Sequence, residues 1–391
     1  MKQISSENSF TSLVNCLEDH SVLSDILISE LAQQNGFLDL DGLTTLSEAT
    51  AIMIAKHLGG LSLSGLTSLS VPAAIALTNH KGVSIYLDGL PKLTEETATV
   101  IVKHKGNKLS LNGLTSLPEA IARSLAKYKG DNLSLDGLAI VSTPVAQALA
   151  KHKGKSISLF GIMTLSSAAE TLLSKRNGFD LHLDSLTAIS DVAAVALASL
   201  DGDLSLDGLL ELSVSAASAL ANLKGNLSLD GLLELTAAVA AALAKHEGST
   251  LRLAGLTTIT TDVAREISRH RGIELYLHGL TSLTDTAAAC LSEYYGDLCL
   301  DGLTTLPDTV AIALSKHEGS LSLNGLTVLS DTAATALAKQ RGDLSIDGIT
   351  TLSDASAREL AKHEGSLSLA SLVTLSDKAA SMLAKHSDEC E

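Results

Sequence analysis

A repeat of 23 or 24 residues runs through nearly the whole chain, and it constrains the fold more than any other feature. A clear copy is residues 321–342, LSLNGLTVLSDTAATALAKQRG. A fixed period in the twenties is the signature of a solenoid, in which each unit packs only on its neighbours. Fifteen copies carry a Gly-Leu, Gly-Ile or Ser-Leu dipeptide, which starts at Gly42, Gly65, Gly89, Gly113, Gly137, Gly161, Ser185, Gly208, Gly231, Gly255, Gly279, Gly302, Gly325, Gly348 and Ser371.

The first half of each copy has the pattern of a short β-strand. In residues 321–342, Leu321 and Leu323 alternate with polar residues, and Leu326 and Leu329 follow the glycine. Alternation with a period of two predicts a strand that has one buried face. The glycine at position 325 should end the strand and let the chain turn inward.

The second half of each copy has the pattern of a helix. Ser330 is a good N-cap, and Asp331 places an acid at the positive end of the helix dipole. The alanines that follow favour a helix of about three turns, and Leu337 should face the core. We expect Gly342 to end this helix in a conformation with positive φ.

A single unit of this kind cannot bury its leucines, but stacked units can. Successive parallel strands need a crossover, which the helix supplies in the usual right-handed sense. We therefore predict an α/β fold, a right-handed β-α solenoid with a parallel sheet on its concave face and helices on its convex face. Because the chain has no Trp and only 2% aromatic residues, leucine must fill the core.

The Leu-x-Leu strand and the later leucines at fixed offsets resemble the leucine-rich-repeat horseshoes. That family places an Asn five residues after the first strand leucine, whereas Gly325 here lies four residues after Leu321 and Leu326 follows at once. The Asn ladder is therefore missing. The chain is similar to Ala- and Gly-rich bacterial arrays with LSLDGLTSLSD…ALAKHKG units. The resemblance implies a protein-binding scaffold and assigns no catalytic residue.

The register of the repeat divides the chain into three parts. We interpret residues 1–36 as an N-terminal cap with a degenerate half-repeat, because capping units protect the core of a solenoid. Residues 37–386 form the fifteen repeats, and residues 387–391 form an acidic tail. The C-terminal end has no distinct cap. Either the final helix and the acidic tail suffice, or that end packs on another copy, or the chain is a fragment of a longer protein; our hypothesis is a weak self-contact between copies there.

Composition restricts the partners and the compartment. The net charge of −16 disfavours nucleic acid and anionic membranes and suits a neutral or basic protein surface. Four scattered cysteines form no disulfide framework, and residues 1–20 lack the layout of a signal peptide. A cytoplasmic location is expected, with secretion by another route left open.

The strand positions that point away from the core form two columns. The first column is mostly Ser, and the second is mostly Asp or Asn. The acidic column can be interpreted as a cation or basic-ligand site. The plainer interpretation is that each Asp caps its own turn through side-chain to backbone hydrogen bonds.

Departures from the consensus in these columns are the candidate partner-binding residues. They are Tyr86, Phe160, His182, Arg252, Tyr276, His278 and Cys299. The last four come from three consecutive repeats, and Tyr and Arg are enriched at binding hot spots. Neutral drift on a solvated face is the alternative explanation.

Two further patterns suggest chemistry but have plainer explanations. Histidines follow Lys or Arg at most helix ends, where their charge suits the helix C-terminus. Cys290 should lie in the core, and neither Cys290 nor Cys299 has an evident base beside it. We find no zinc spacing, phosphate loop or paired-carboxylate site, so we predict no cofactor and no metal.

These observations favour a non-enzymatic repeat scaffold that binds a protein through its concave surface. The alternative is a structural or surface array, cation-stabilised, without a specific partner. An enzyme is the third possibility, although no site in the sequence supports a reaction.

Overall fold

The computed structural model describes residue 33 and residues 36–165 and 180–389, in two compact units, Met1–Leu186 and Thr187–Glu391. The proposed N-terminal cap, apart from residues 33 and 36, lies outside the described residues, as does the segment of the sixth repeat for which the sequence predicts a helix. Among the described residues, no helix has the length and apolar character needed to cross a membrane.

The first unit contains nine strands and five helices among its described residues. Its strands are β1 (Leu38–Asp39), β2 (Leu61–Ser62), β3 (Ser84–Tyr86), β4 (Lys108–Ser110), β5 (Asn132–Ser134), β6 (Ile140–Val141), β7 (Ser156–Ser158), β8 (Thr164–Leu165) and β9 (Asp180–His182). Its helices are α1 (Glu48–Ile54), α2 (Val71–Leu77), α3 (Glu95–Ile101), α4 (Glu119–Leu125) and α5 (Thr143–Leu149). Strands β1 to β5, β7 and β9 pair in parallel in that order, and β6 pairs with β8 separately.

The second unit contains eight strands and nine helices among its described residues. Its strands are β10 (Leu204–Ser205), β11 (Leu227–Ser228), β12 (Thr250–Arg252), β13 (Glu274–Tyr276), β14 (Asp297–Cys299), β15 (Leu321–Ser322), β16 (Leu344–Ser345) and β17 (Leu367–Ser368). Its helices are α6 (Asp191–Leu197), α7 (Val214–Leu220), α8 (Ala237–Leu243), α9 (Thr261–Ile267), α10 (Asp285–Leu291), α11 (Asp308–Leu314), α12 (Asp331–Leu337), α13 (Asp354–Leu360) and α14 (Asp377–Glu389).

Strands β10 to β17 pair in parallel in chain order, so helices α7 to α13 are the crossovers between neighbouring strands. The register places equivalent positions of successive repeats opposite one another, as where Leu251 pairs with Leu275 and Leu275 with Leu298. The predicted leucine-rich-repeat-like α/β solenoid is confirmed.

The core consists of columns of leucine that run from repeat to repeat. Leu321, Leu323, Leu326 and Leu337 are each at most 1% exposed. Burying one leucine side chain contributes roughly 1.5–3 kcal/mol, so the stacked columns are the main source of stability. The helices contribute alanines such as Ala333, which is fully buried and allows the helix to approach the sheet closely.

The helices begin as predicted but are shorter. Ala333 donates its backbone N–H to Ser330 Oγ at 2.9 Å, which confirms the N-cap. Helix α12 has seven residues, about two turns rather than three. Its end tightens because Gln340 N–H bonds the carbonyl of Leu337, three residues back, so the chain turns early into the next strand.

The prediction that Gly342 adopts a positive φ is wrong. Among the described residues, only Gly36 is a glycine with positive φ. A Cβ on Gly342 would instead lie 2.2 Å from the carbonyl oxygen of Gly319, one repeat earlier. Glycine is required at this position because successive repeats approach each other too closely for a side chain.

The histidines at the helix ends are buried, which contradicts their interpretation as charges that interact favourably with the helix C-terminus. His57 places Nε2 2.9 Å from the carbonyl oxygen of Gly36, and His246 places Nε2 3.0 Å from that of Gly225. His386 has no described side chain. The buried members, each at most 3% exposed, are His57, His80, His104, His152, His246, His270, His317 and His363.

Other residues take the same position and make the same contact. The hydroxyl groups of Tyr128 and Tyr294 donate to the carbonyls of Gly106 and Gly272, each at 2.8 Å. The rings stack from repeat to repeat, with centroids 5.6 Å apart for His80 and His104. At His57, Tyr128, His246 and Tyr294, this column therefore ties the helix end to the glycine of the preceding repeat.

Burial keeps several of these histidines neutral. It lowers the pKa of His80, His104 and His270 from 6.5 to about 4. For His80, the neighbouring His104 and His57 lower the pKa further. The unfolded chain therefore binds protons on these groups at a higher pH than the folded chain does.

We predict that the free energy of unfolding keeps its full contribution from these histidines above pH about 6.5 and falls as the pH drops towards about 4. His104→Leu should reduce this loss by about 1–3 kcal/mol, since one pKa unit corresponds to about 1.4 kcal/mol. Leucine already occupies the same column at Leu200 and Leu223, which are buried. Urea unfolding midpoints measured from pH 7 to 4 test this.

The control is Lys103→Leu, which changes the exposed neighbour and should keep the wild-type pH dependence. If His104→Leu and the wild type lose stability over the same pH range to the same extent, the buried histidines are not responsible.

Candidate binding site

Within each unit, a ladder of hydrogen bonds runs along the outer face of the sheet and links many repeats to the next. Ser228 Oγ donates to Asp207 Oδ1 at 2.5 Å, and the N–H of Asp230 donates to the same oxygen at 2.9 Å. We call the side-chain pair formed by an Asp or Asn and the Ser of the following repeat a rung. Further rungs are Asp88–Ser110, Asn112–Ser134, Asp301–Ser322, Asn324–Ser345 and Asp347–Ser368.

The rungs correct the expectation that each Asp caps its own turn. The carboxylate caps the turn of the following repeat, because the parallel register brings that backbone N–H to it. Hydrogen bonds from Ser368 and from the N–H of Ala370 lower the pKa of Asp347. Stacked carboxylates thus receive donors from the chain itself, and the rungs link repeats as the absent Asn ladder would.

In the first unit, the predicted site residues form two separate groups. Tyr86 lies edge-on to Phe37, with ring centroids 5.7 Å apart, and Lys108 Nζ lies 4.8 Å from the Tyr86 centroid. Phe160 and His182 form an edge-on pair at 5.5 Å. Both are small local contacts on the outer face of the sheet.

In the second unit, the four predicted residues lie in one continuous chain of contacts. The Arg252 guanidinium carbon is 4.9 Å from the Tyr276 ring centroid, and the Tyr276 and His278 rings are 5.2 Å apart. His278 Nδ1 is 3.0 Å from Cys299 Sγ. Arg252 also forms an ion pair with Asp230 at 3.1 Å. The structure therefore brings together residues that three repeats contribute.

A groove of about 410 Å³ begins at this chain of contacts and continues along the outer face of β14 to β17. Tyr276, His278 and Cys299 line its first part. Burial and the nearby Glu274 raise the pKa of Tyr276, so its hydroxyl stays protonated. The carboxylates that line the groove belong to Glu274, Asp297, Asp301 and Asp343.

Cys299 has the neighbours that the sequence analysis found lacking, but it is not an activated nucleophile. Its Sγ lies 3.0 Å from His278 Nδ1 and 3.2 Å from Asp301 Oδ2. Burial, helped by Asp301, raises the pKa of the thiol to about 12. Because the thiolate is the reactive form, this shift disfavours Cys299 as a nucleophile. Cys290 is partly exposed rather than a core residue.

Sequence reasoning missed Asp301 and Glu274 as members of this site. Asp301 fits the consensus of its column, so the column alone does not distinguish it from the other aspartates. Its significance comes from Cys299, two residues earlier, and from His278 in the preceding repeat. A comparison of both members of each rung would have identified the altered His278–Cys299 pair, and Asp301 is the next outward residue after Cys299.

We predict that Asp207→Ala lowers the free energy of unfolding by about 1–3 kcal/mol, because the hydroxyl of Ser228 and the N–H of Asp230 lose their acceptor. Asp207→Asn is the matched control. It should keep most of the stability, since Asn324 accepts the same two bonds in its rung. Urea unfolding midpoints measure both variants. Equal losses in the two variants would show that charge, and not the acceptor oxygen, is what matters.

No family model matches this sequence, and no curated protein matches it. Solved structures with a similar backbone include an internalin (inlF) from Listeria monocytogenes, with 16% identity and a TM-score of 0.43. The match covers 92% of this chain and 91% of the internalin chain. TLR13 in a complex with ssRNA13 has 15% identity and a TM-score of 0.49, with 92% of this chain covered. Drosophila Toll in a complex with Spatzle has 14% identity, a TM-score of 0.48 and 84% of this chain covered. The chain spans 57% of the TLR13 chain and 50% of the Toll chain. At these scores, the fold assignment rests on the strand pairing described above.

Proposed function

We propose that this protein is a non-enzymatic scaffold that binds another protein through the outer face of its sheet in the second unit, the face that the sequence analysis assigns to the concave side. The observation that carries the proposal is the contact chain from Arg252 to Cys299 at one end of an open groove. Most repeats place serine at the positions of Arg252, Tyr276 and Cys299, and Asp or Asn at the position of His278, so these four residues distinguish this stretch of the surface.

The chemistry of the groove favours a basic segment as the partner. Glu274, Asp297, Asp301 and Asp343 line it, and the chain carries a net charge of −16. Complementary charge accelerates encounter and suppresses partners of the wrong sign. Tyr276, a residue type that is frequent at hot spots, supplies an aromatic surface on which an aliphatic or cationic side chain can pack.

The neutral state of Cys299 supports a binding role over a catalytic one. Burial holds its pKa at about 12, far above the range in which a thiol attacks a substrate. His278 and Asp301 then act as hydrogen-bonding neighbours of a protonated thiol, and not as the base and orienting residue of a nucleophile.

We predict that Arg252→Ser together with Tyr276→Ser lowers the affinity for the partner at least about tenfold, because hot-spot truncations typically cost more than 1 kcal/mol each. Serine is the residue of most repeats at these positions, so the fold should persist. The test first identifies the proteins from the source cells that the intact chain retains. Calorimetry then measures their affinity for the wild type and for the double variant.

The control variant is Arg265→Ala with Tyr295→Ala, which removes the same two residue types from the helical side. It should bind as the wild type does. If both double variants retain the same proteins with equal affinity, this face is not the binding surface. If the wild-type chain retains no partner, and its melting temperature rises only when calcium is added, the alternative of a structural array is supported instead.

A further inference from the structure

In one rung of the ladder, both side chains differ from the consensus. At the position where most repeats have an Asp or Asn, the repeat of β13 has His278, and at the serine position of the following repeat stands Cys299. The pair keeps the contact between repeats, with Nδ1 and Sγ 3.0 Å apart, where Ser228 and Asp207 have oxygens at 2.5 Å. The exchange replaces oxygen donors with nitrogen and sulfur.

A third ligand group stands beside this rung. Asp301 Oδ2 is 3.2 Å from Cys299 Sγ, and one donor atom from each of His278, Cys299 and Asp301 lies within 4.8 Å of the other two. A tetrahedral zinc ion with Zn–S of about 2.3 Å and Zn–N or Zn–O of about 2.0 Å would separate its ligand atoms by roughly 3.3–3.5 Å. The two separations from Cys299 Sγ, 3.0 Å to His278 and 3.2 Å to Asp301, need to widen by only a few tenths of an ångström. The ligand atoms of His278 and Asp301 lie within 4.8 Å of each other.

The carboxylate of Asp301 is already oriented for this role. Its Oδ1 accepts hydrogen bonds from Ser322 Oγ at 2.6 Å and from the N–H of Asn324 at 2.8 Å. These bonds leave Oδ2 directed at the sulfur. Outer-shell hydrogen bonds of this kind fix ligand carboxylates in metal sites and are a large part of their affinity.

We propose that His278, Cys299 and Asp301 form a three-ligand site for Zn²⁺ on the outer face of the sheet in the second unit. A set with one sulfur, one imidazole nitrogen and one carboxylate suits zinc, whereas Ca²⁺ and Mg²⁺ take oxygen ligands. The thiol would release its proton to solvent when the ion binds. All three residues line the groove, so the fourth position is open to water or to a side chain of a bound partner. The site does not depend on the protein-binding proposal.

The test uses the full chain, reduced and freed of metal by dialysis against a chelator. Zn²⁺ is titrated in competition with a chromogenic chelator, and Co²⁺ is used as a spectroscopic probe. We expect one Zn²⁺ per chain at this site and a thiolate-to-cobalt charge-transfer band in the near ultraviolet. His278→Asp with Cys299→Ser, which restores the consensus rung, should keep the fold, weaken Zn²⁺ binding at least about tenfold and remove the band.

Two single variants complete the design. Cys290→Ser removes the partly exposed thiol of α10 and should leave the affinity and the band unchanged. Ser322→Ala removes a hydrogen bond to Asp301 and should weaken Zn²⁺ binding by about 10- to 100-fold while the band remains. Absence of stoichiometric Zn²⁺ binding, or binding and a cobalt band that persist in the His278→Asp, Cys299→Ser variant, would overturn the proposal and leave this rung as a thiol–imidazole hydrogen bond.

Discussion

The close contact between one repeat and the next is the constraint on which the rest of the structure depends. In each unit, the leucine columns bury the apolar surface, and two polar columns hold the repeats at a fixed spacing. At the helix ends, buried rings such as that of His246 bond the glycine carbonyl of the preceding repeat. On the outer face of the sheet, the rungs of Asp or Asn with Ser join successive repeats. A buried polar group is stabilised by a hydrogen-bond partner, and at these positions the neighbouring repeat supplies one.

This arrangement explains how the chain can vary chemically without losing its architecture. A rung needs an acceptor and a donor at a fixed separation, and the backbone around it does not change when Asn324 replaces an aspartate. Arg252 satisfies Asp230 in the place of a serine. His278 and Cys299 satisfy each other. Function in a scaffold of this kind can therefore arise through substitution of rungs, while the leucine columns maintain the fold.

Several predictions failed for one shared reason, which is that they considered each repeat alone. For an isolated helix, a histidine at the C-terminal end is a favourable charge, but the ring of His57 is covered by the next repeat. Helix-ending rules predict a positive φ at Gly342, whereas glycine is needed there because the Gly319 carbonyl leaves no space for a side chain. The sequence predicts that the acidic column caps its own turns, yet it caps those of the following repeat.

The sequence by itself determined the repeat, the strand and helix within each repeat, the N-caps and the leucine core, because periodicity and capping are local properties of the chain. It also singled out the residues from Arg252 to Cys299 as unusual. Only the tertiary structure decided which polar groups meet, since partners such as His278 and Cys299 are 21 residues apart in sequence and are brought into contact by the parallel register. Distances, burial and pKa shifts follow from that register, and so does the chemistry of the groove.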